Sequence, residues 1–550
     1  MLVTPINDGR GERGFSMVAA IIVLLVASLL LFAAVDAVTG DNLPTRTTLD
    51  QNRALLAAEA GLASFRQQLT LNPSYWNECP GVNGSTGVTG TTGWASVAQS
   101  SDTGSGESYS YHIVPSSTTT SSDPYCDTKS PTTTVIEGNS SASGSFRVEV
   151  SGTSRGVSRS IVGQFRPQSF LNYVYFTNYE VTDPLVVGTG SQCYNDFGGS
   201  KMVYFWQSQG QQRNNECGPI QFVTGDQING PLHTNDEIDV CGSPVFGRAG
   251  HQPPDAVELG GTASTGAVYS PCGGANPTYN TATGSYVQTG TLPVPSDDSS
   301  MLAVADGGNA SLTNGCSTVG AGCVFTGPTT ISLNGNNVTV QNALYNNGNA
   351  TVLPNGYPSN GVIYVQNNTA QGSCPAYNNT SPSYPGASAG PCGDATVSGS
   401  YTRSLTIAAV NDVIINGNLT TTMSSNYEPT GNVFLGLVAD DFVRVAHTAG
   451  YGGIQLNNLQ IDAAILALQH SFIVDDYSDG SPLGTLTVDG SIAQDYRGPV
   501  GTGNGTQVST GYLKNYNYDQ ALQTESPPYF PAPTGTPWEL VRVTECDTSC

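Results

Sequence analysis

The chain has 550 residues, with 18 Lys and Arg against 42 Asp and Glu and a formal net charge of -24. That field repels a nucleic-acid backbone, and no basic, aromatic-interleaved patch offsets it, so nucleic acid is excluded as a partner. Only 11% of residues are charged while Gly reaches 65 and Pro 33, which excludes a helical bundle and predicts a mainly β chain of more than one structural unit.

Residues 1–14 are short and polar, with Arg10 and Arg13 close to the end. An uninterrupted apolar run follows from Phe15 to Val35, built on Phe15, Met17, Val18, Ala19, Ile21, Ile22, Leu24, Leu25, Leu29 and Leu30 among others. As a helix rising about 1.5 Å per residue it just crosses a hydrocarbon core of about 30 Å. Beyond Asp36 the apolar pattern resumes at helical spacing, with Leu49, Leu55, Leu56, Ala60, Leu62 and Leu69, which predicts one long helix over residues 15–72. Gly40 and Pro44 lie between the two stretches and predict a bend or a loosening there. A secretory signal peptide expects a shorter run with small residues before the cut, and the stretch around Val35-Asp36-Ala37 is poor for that. A plain membrane anchor also fits the run.

A polar leader, then Gly14, Phe15 and a long apolar helix, resembles the signal of type IV prepilins. The resemblance implies cleavage between Gly14 and Phe15 by a prepilin peptidase and methylation of the new N-terminal phenylalanine. Ala19 stands where major pilins carry glutamate, five residues after the cut, so the likeness is to minor pilins or pseudopilins. The AAEAGL stretch (57–62) is similar to that of PilX-type minor pilins. What this implies is a structural subunit, not an enzyme, without a cofactor. Its partners would be the membrane, other pilin-like subunits and the peptidase. It would lie in the inner membrane as a single-pass protein and later in an extracellular pilus or at the cell surface, displaying its body for adhesion or tip capping.

Within residues 73–168, SFRVEVSGTSRGVSRSIVGQFRP (144–167) alternates apolar and polar residues about a turn and predicts a β-hairpin packed on the helix. From residue 169 to 500 a short unit recurs, polar residues followed by apolar-x-apolar, at NDEIDV, NNVTV, NDVIIN, DDFVRV and HSFIVD. Val413, Phe442 and Phe472 fall 29–30 residues apart in it. That rhythm predicts stacked coils, a β-helix or solenoid-like body, with a β-sandwich as the alternative. Ser296-Asp297-Asp298 is a candidate cap for a short helix. Residues 501–550, rich in Tyr and Pro, read as an extended segment laid over the fold and ending in a strand.

The twelve cysteines include no CxxC, so zinc and dithiol redox sites are not indicated, and the even count points to disulfides. Neighbour pairing is the simplest scheme: Cys79–Cys126, Cys193–Cys217, Cys241–Cys272, Cys316–Cys323, Cys374–Cys392 and Cys546–Cys550. Catalytic signals are sparse. Gly152 to Gly156 matches GxSxG, but a strand follows it where a nucleophile elbow needs a helix, so it reads as a hairpin turn. His233 beside Asp236, Glu237 and Asp239 is a candidate calcium or sugar site that reads first as a solvated turn, and Asp475, Asp476 and Asp479 before Gly480 partly resemble a calcium loop but lack its regular alternate ligands. Asp412, Asp440 and Asp441 would share one face of a coil stack, as carbohydrate-active enzymes on β-helices require, and are equally ordinary turn residues. A membrane-anchored surface β-helix that binds ligands is the other rival reading.

Overall fold

The computed structural model describes residues 16–78, 106–114, 136, 144–187, 204, 220–261, 268–269, 274–317, 321–386, 389–422, 433–449, 452–503, 507–533 and 536–546; within the first helix, side chains are described over 21–30 and 47–71. Gly14 and Phe15, the proposed processing site, lie outside these residues, as do the side chains of Met17, Val18 and Ala19.

The N-terminal helix, α1 (Ser16–Leu71), runs past Gly40 and Pro44 without a break in its helical assignment. Its described apolar residues from Ile21 to Leu30 are exposed all round, from 50% at Ile21 to 70% at Leu24. Among the described residues, no helix is long and apolar enough to cross a membrane. The C-terminal part of α1 lies on a four-stranded antiparallel sheet of β1 (Glu107–Val114), β2 (Phe146–Ser154), β3 (Val157–Pro167) and a last strand, Trp538–Cys546. The hairpin predicted at 144–167 is β2–β3, with Ser154 opposite Val157. Arg155 and Gly156 turn it in the left-handed region, at φ 47° and 84°, as a two-residue hairpin requires. The GxSxG match therefore sits on a strand end and its turn, with Ser154 buried.

The rest of the chain is mainly β, in parallel ladders. One runs through Cys323, Ile363, Ile407, Leu437, Ile465, Ile492, Tyr175, Leu232 and Val257, each paired with the next. Another joins Leu419, Ile461, Val488, Tyr516, Ile228, Phe246 and Tyr279. A third stacks Ile331, Val397, Ile415, Val445 and Val474. Ladder strands sit about 4.8 Å apart, so identical positions of successive strands stack and their apolar side chains form one continuous core.

The ladder order departs from chain order. Strand β4 (Tyr175–Thr182) lies beside Pro482–Arg497, so the start of this region meets its end in the middle of the stack. Two expectations are corrected. Val413 pairs with Val443, and Val443 with Phe472, so the repeat is one residue out at Phe442. Phe442 faces the other way, stacked on His470 at 4.4 Å and tilted against Tyr377 at 4.5 Å. The segment from residue 501 ends in a strand as expected, Trp538–Cys546, which joins the sheet under α1, but it is not simply laid over the fold, since Val508–Tyr518 is an interior strand of a ladder.

Cys316–Cys323 and Cys374–Cys392 are bonded as neighbour pairing predicts. Cys241 and Cys546 are also disulfide-bonded. The pairs Cys79–Cys126 and Cys193–Cys217, together with Cys272 and Cys550, lie outside the described residues.

Candidate functional site

The site that the structure builds around the sequence signal is the seat of α1 on its sheet. Buried Ala54, Ala58, Leu62, Phe65 and Leu69 recur every three or four residues and form one stripe down the helix. The six apolar residues that mark the helix in the sequence, Leu49, Leu55, Leu56, Ala60, Leu62 and Leu69, do not all lie on this stripe. Of these six, only Leu62 and Leu69 are buried, whereas Leu49 and Leu56 are 51% and 62% exposed. Size explains the difference. The helix approaches the sheet through small residues, and a leucine cannot occupy the closest contact.

Three glycines mark that contact. A Cβ on Gly152 in β2 would lie 2.0 Å from the Ala54 carbonyl oxygen and 2.4 Å from the Ala58 nitrogen. One on Gly61 of the helix would lie 2.7 Å from both Tyr109 and Val150, and one on Gly163 would lie 2.6 Å from Leu62. Glycine inside a strand weakens it unless another backbone needs the space, and here the helix backbone does. The AAEAGL stretch thus supplies Ala58, Gly61 and Leu62 to the seat, while Glu59 and Ala60 face solvent.

Below the glycines an aromatic cluster locks the end of the helix. Phe65 lies 5.3–5.4 Å from Phe165, Tyr75 and Tyr111, and the Tyr75 and Tyr111 hydroxyls hydrogen-bond at 2.9 Å. Phe146 packs edge-on to Trp538 at 4.8 Å, and the Trp538 indole donates to the Pro73 carbonyl at 3.0 Å. The C-terminal strand therefore clamps the segment that leaves α1. Sequence reading missed Trp76, Trp538 and the glycines. Gly152 and Gly163 stood out only as glycines inside an otherwise regular strand pattern.

The other singled-out residues are absorbed by the body. His233 is buried, with Nδ1 2.9 Å from Glu258 and Nε2 3.1 Å from Asn235. Asp236 accepts from the backbone N–H of Glu180 and of Glu237. Asp475 is 3.1 Å from buried Arg444, whose Nε lies 2.8 Å from Asp412. The Tyr377 and Tyr384 hydroxyls each donate to Asp475 at 2.6 Å, and both tyrosines come from the loop closed by Cys374–Cys392. Burial pushes Asp412 up to about 7 against the opposing pull of Arg444, while Asp412 and Asp475 outweigh burial to keep Arg444 charged.

Asp440 accepts the Asp298 N–H at 2.7 Å, and Asp298 in turn accepts the Tyr364 hydroxyl at 2.9 Å. Burial, with the Asp298 charge adding to it, pushes Asp440 up to about 8, and burial pushes Asp298 up to about 6 against the hydrogen bonds of Tyr364 and Asp440. Asp298 stands at the N-cap of the helix Ser299–Asp306, although its side chain makes no capping hydrogen bond. Asp441 is 4.0 Å from His470, which is 2.8 Å from Asp183. Asp412, Asp440 and Asp441 thus make their closest polar contacts with three different partners, Arg444, Asp298 and His470. Among the described residues, no group of three or more His, Cys, Asp or Glu is placed to hold a metal ion.

No protein-family model matches the chain, and no curated protein sequence matches it. Among solved structures it is similar to the crystal structure of the competence-associated pilin ComZ from Thermus thermophilus. The identity is 12% and the TM-score 0.29, over 90% of this chain and 97% of that chain.

Proposed function

We propose that this chain is a structural minor pilin or pseudopilin-like subunit of a type IV pilus or a related secretion system. The observation that carries the reading is the division of α1. Its C-terminal part is seated on the sheet through Ala54, Ala58 and Gly61, while every described residue from Ile21 to Leu30 is exposed. Apolar side chains exposed around the whole circumference need an apolar surround on all sides, and a bilayer or a bundle of like helices provides one. The helix would anchor the subunit in the inner membrane and then exchange lipid for the helices of other subunits in the fibre. Exposed Leu49 and Leu56, on the far side of the seated helix, extend the apolar surface toward such neighbours.

Cleavage between Gly14 and Phe15 by a prepilin peptidase belongs to this reading, as does the PilX-type likeness of the AAEAGL stretch. Ala19 leaves no carboxylate to neutralise a neighbour's N-terminal amine, which suits a minor or tip subunit better than a repeating one. The β body is read as solenoid-like stacked coils displayed outside the cell for adhesion or capping; the successive parallel pairings of the ladders support that. Mass spectrometry of the N-terminus tests the proposal. Protein from normal cells is expected to begin with N-methylated Phe15, and protein from a strain lacking the peptidase to keep its leader. The same mature mass in both strains would refute it.

A further inference from the structure

One polar cavity in the body belongs to none of the features above. It has a volume of about 290 Å³ and lies where Gln221–Val223, the loop after Arg497 and the strand Val508–Tyr518 meet. Ile220, Val223 and Val500 supply apolar walls, and Gln221, Asp226 and Lys514 supply polar groups. Lys514 is a lysine on the inward side of a core strand, at positions alternating with Tyr512 and Tyr516. Its side chain is only 10% exposed, and its ammonium is 2.9 Å from Asp226.

The hydrogen-bonding capacity around this cavity is not used up. An ammonium has three donors, and the described residues engage one of Lys514's, through Asp226. The Gln221 side chain, on the same wall, makes no hydrogen bond to the described residues. Behind them Arg497 is held by Glu180 at 2.8 Å, so the two buried cations are matched by two carboxylates. The Lys514 ammonium and the half-buried Gln221 amide both line this cavity, and a ligand or water there completes their hydrogen bonding.

We propose that this cavity binds a neutral, polyhydroxylated ligand of single-ring size, a monosaccharide unit. The charge balance selects against ions, since a bare anion would compete with Asp226 for Lys514 and a cation with Lys514 for Asp226. A vicinal diol both donates and accepts on adjacent atoms. It can take the spare Lys514 donors, donate a hydrogen bond to Asp226 Oδ1, which accepts the Lys514 backbone N–H at 3.4 Å while Oδ2 is taken up by the Val223 N–H and the Lys514 ammonium, and use both ends of the Gln221 amide. The C–H faces of the ring suit the walls of Ile220, Val223 and Val500. The volume lies at the lower edge of the ~300–1,000 Å³ typical of small-molecule pockets, which limits the ligand to about one ring.

The test uses the full-length chain in a zwitterionic detergent without a sugar head group. Saturation-transfer NMR is run against neutral hexoses and N-acetylhexosamines, with glucuronate and glucosamine as charged arms. A neutral sugar is expected to bind with a dissociation constant near or below about 1 mM. Gln221→Leu and the cavity-filling Val223→Phe each leave the Lys514–Asp226 pair intact and are expected to weaken binding at least tenfold with the melting temperature unchanged. No neutral sugar binding up to about 50 mM would mean that the cavity holds water only and would overturn the proposal. So would binding that survives both substitutions, or tighter binding of a charged arm. None of these outcomes bears on the N-terminal helix, so the pilus reading stands or falls separately.

Discussion

Gly152→Ala puts the seat of α1 to a direct test. The added Cβ would meet the Ala54 carbonyl oxygen at 2.0 Å, the Ala58 nitrogen at 2.4 Å and the Ala57 carbonyl carbon at 3.0 Å. Gly152 is not among the residues at positive φ, so alanine brings no backbone strain and the cost is steric alone. Overpacking a close-packed contact costs about 1–3 kcal/mol, and here the obstacle is helix backbone, which cannot rotate aside, so about 3 kcal/mol is expected. The helix must lift, and contact at Phe65 weakens with it. Two controls separate causes. Gly156→Ala has nothing within 4 Å but φ 84°, so it meets only left-handed strain, about 1 kcal/mol. Ala58→Gly in the Gly152→Ala background removes a methyl but no backbone atom, so it does not restore stability. Urea unfolding followed by tryptophan fluorescence reads the result, because Trp76 and Trp538 lie 5.7 Å apart at the edge of this cluster. A Gly152→Ala transition within about 0.5 kcal/mol of the parent, or rescue by Ala58→Gly, would refute the close backbone approach.

Further outcomes are expected in the body. Arg444→Met leaves buried Asp412 and Asp475 facing each other without their cation and should cost about 3–5 kcal/mol in chemical denaturation. Replacing Cys374 and Cys392 together by alanine should cost up to about 3 kcal/mol. Hydrogen exchange at residues 375–385 should rise at the same time, because Tyr377 and Tyr384 lose their tether over Asp475. Stability should also fall as pH rises from about 4 to 8. Burial lifts Asp440 to about 8, Asp495 to about 7 and Asp298 and Asp489 to about 6, so the fold favours their protonated forms. Their contribution is complete below the unfolded carboxyl value of 3.8 and is lost as pH climbs through these folded values. His112 works in the opposite sense: burial lowers it from 6.5 to about 4, so its contribution is present above 6.5 and is lost as pH falls through 4. Calorimetry against pH checks the sign, and Asp440→Asn should flatten the profile between about pH 7 and 8.

What the sequence determined by itself was local. A period of three to four marked the helix through residue 71, and alternation about Arg155-Gly156 marked the hairpin. The recurrent apolar-x-apolar unit marked short strands, and neighbouring cysteines marked two loop closures. Each of these depends on residues a few positions apart, where backbone geometry fixes which side chains share a face. The tertiary structure alone decided which helix face is buried, because a leucine-rich and an alanine-rich stripe have the same period and only close approach to Gly152 chooses between them. It also placed Phe442 one residue out of register, set β4 beside Pro482–Arg497 and brought Trp538–Cys546 under the first helix. The last two pairings join residues hundreds of positions apart. Nothing in a local pattern distinguishes one apolar strand from another as a neighbour; the choice is made by the shared core that only the assembled chain can bury.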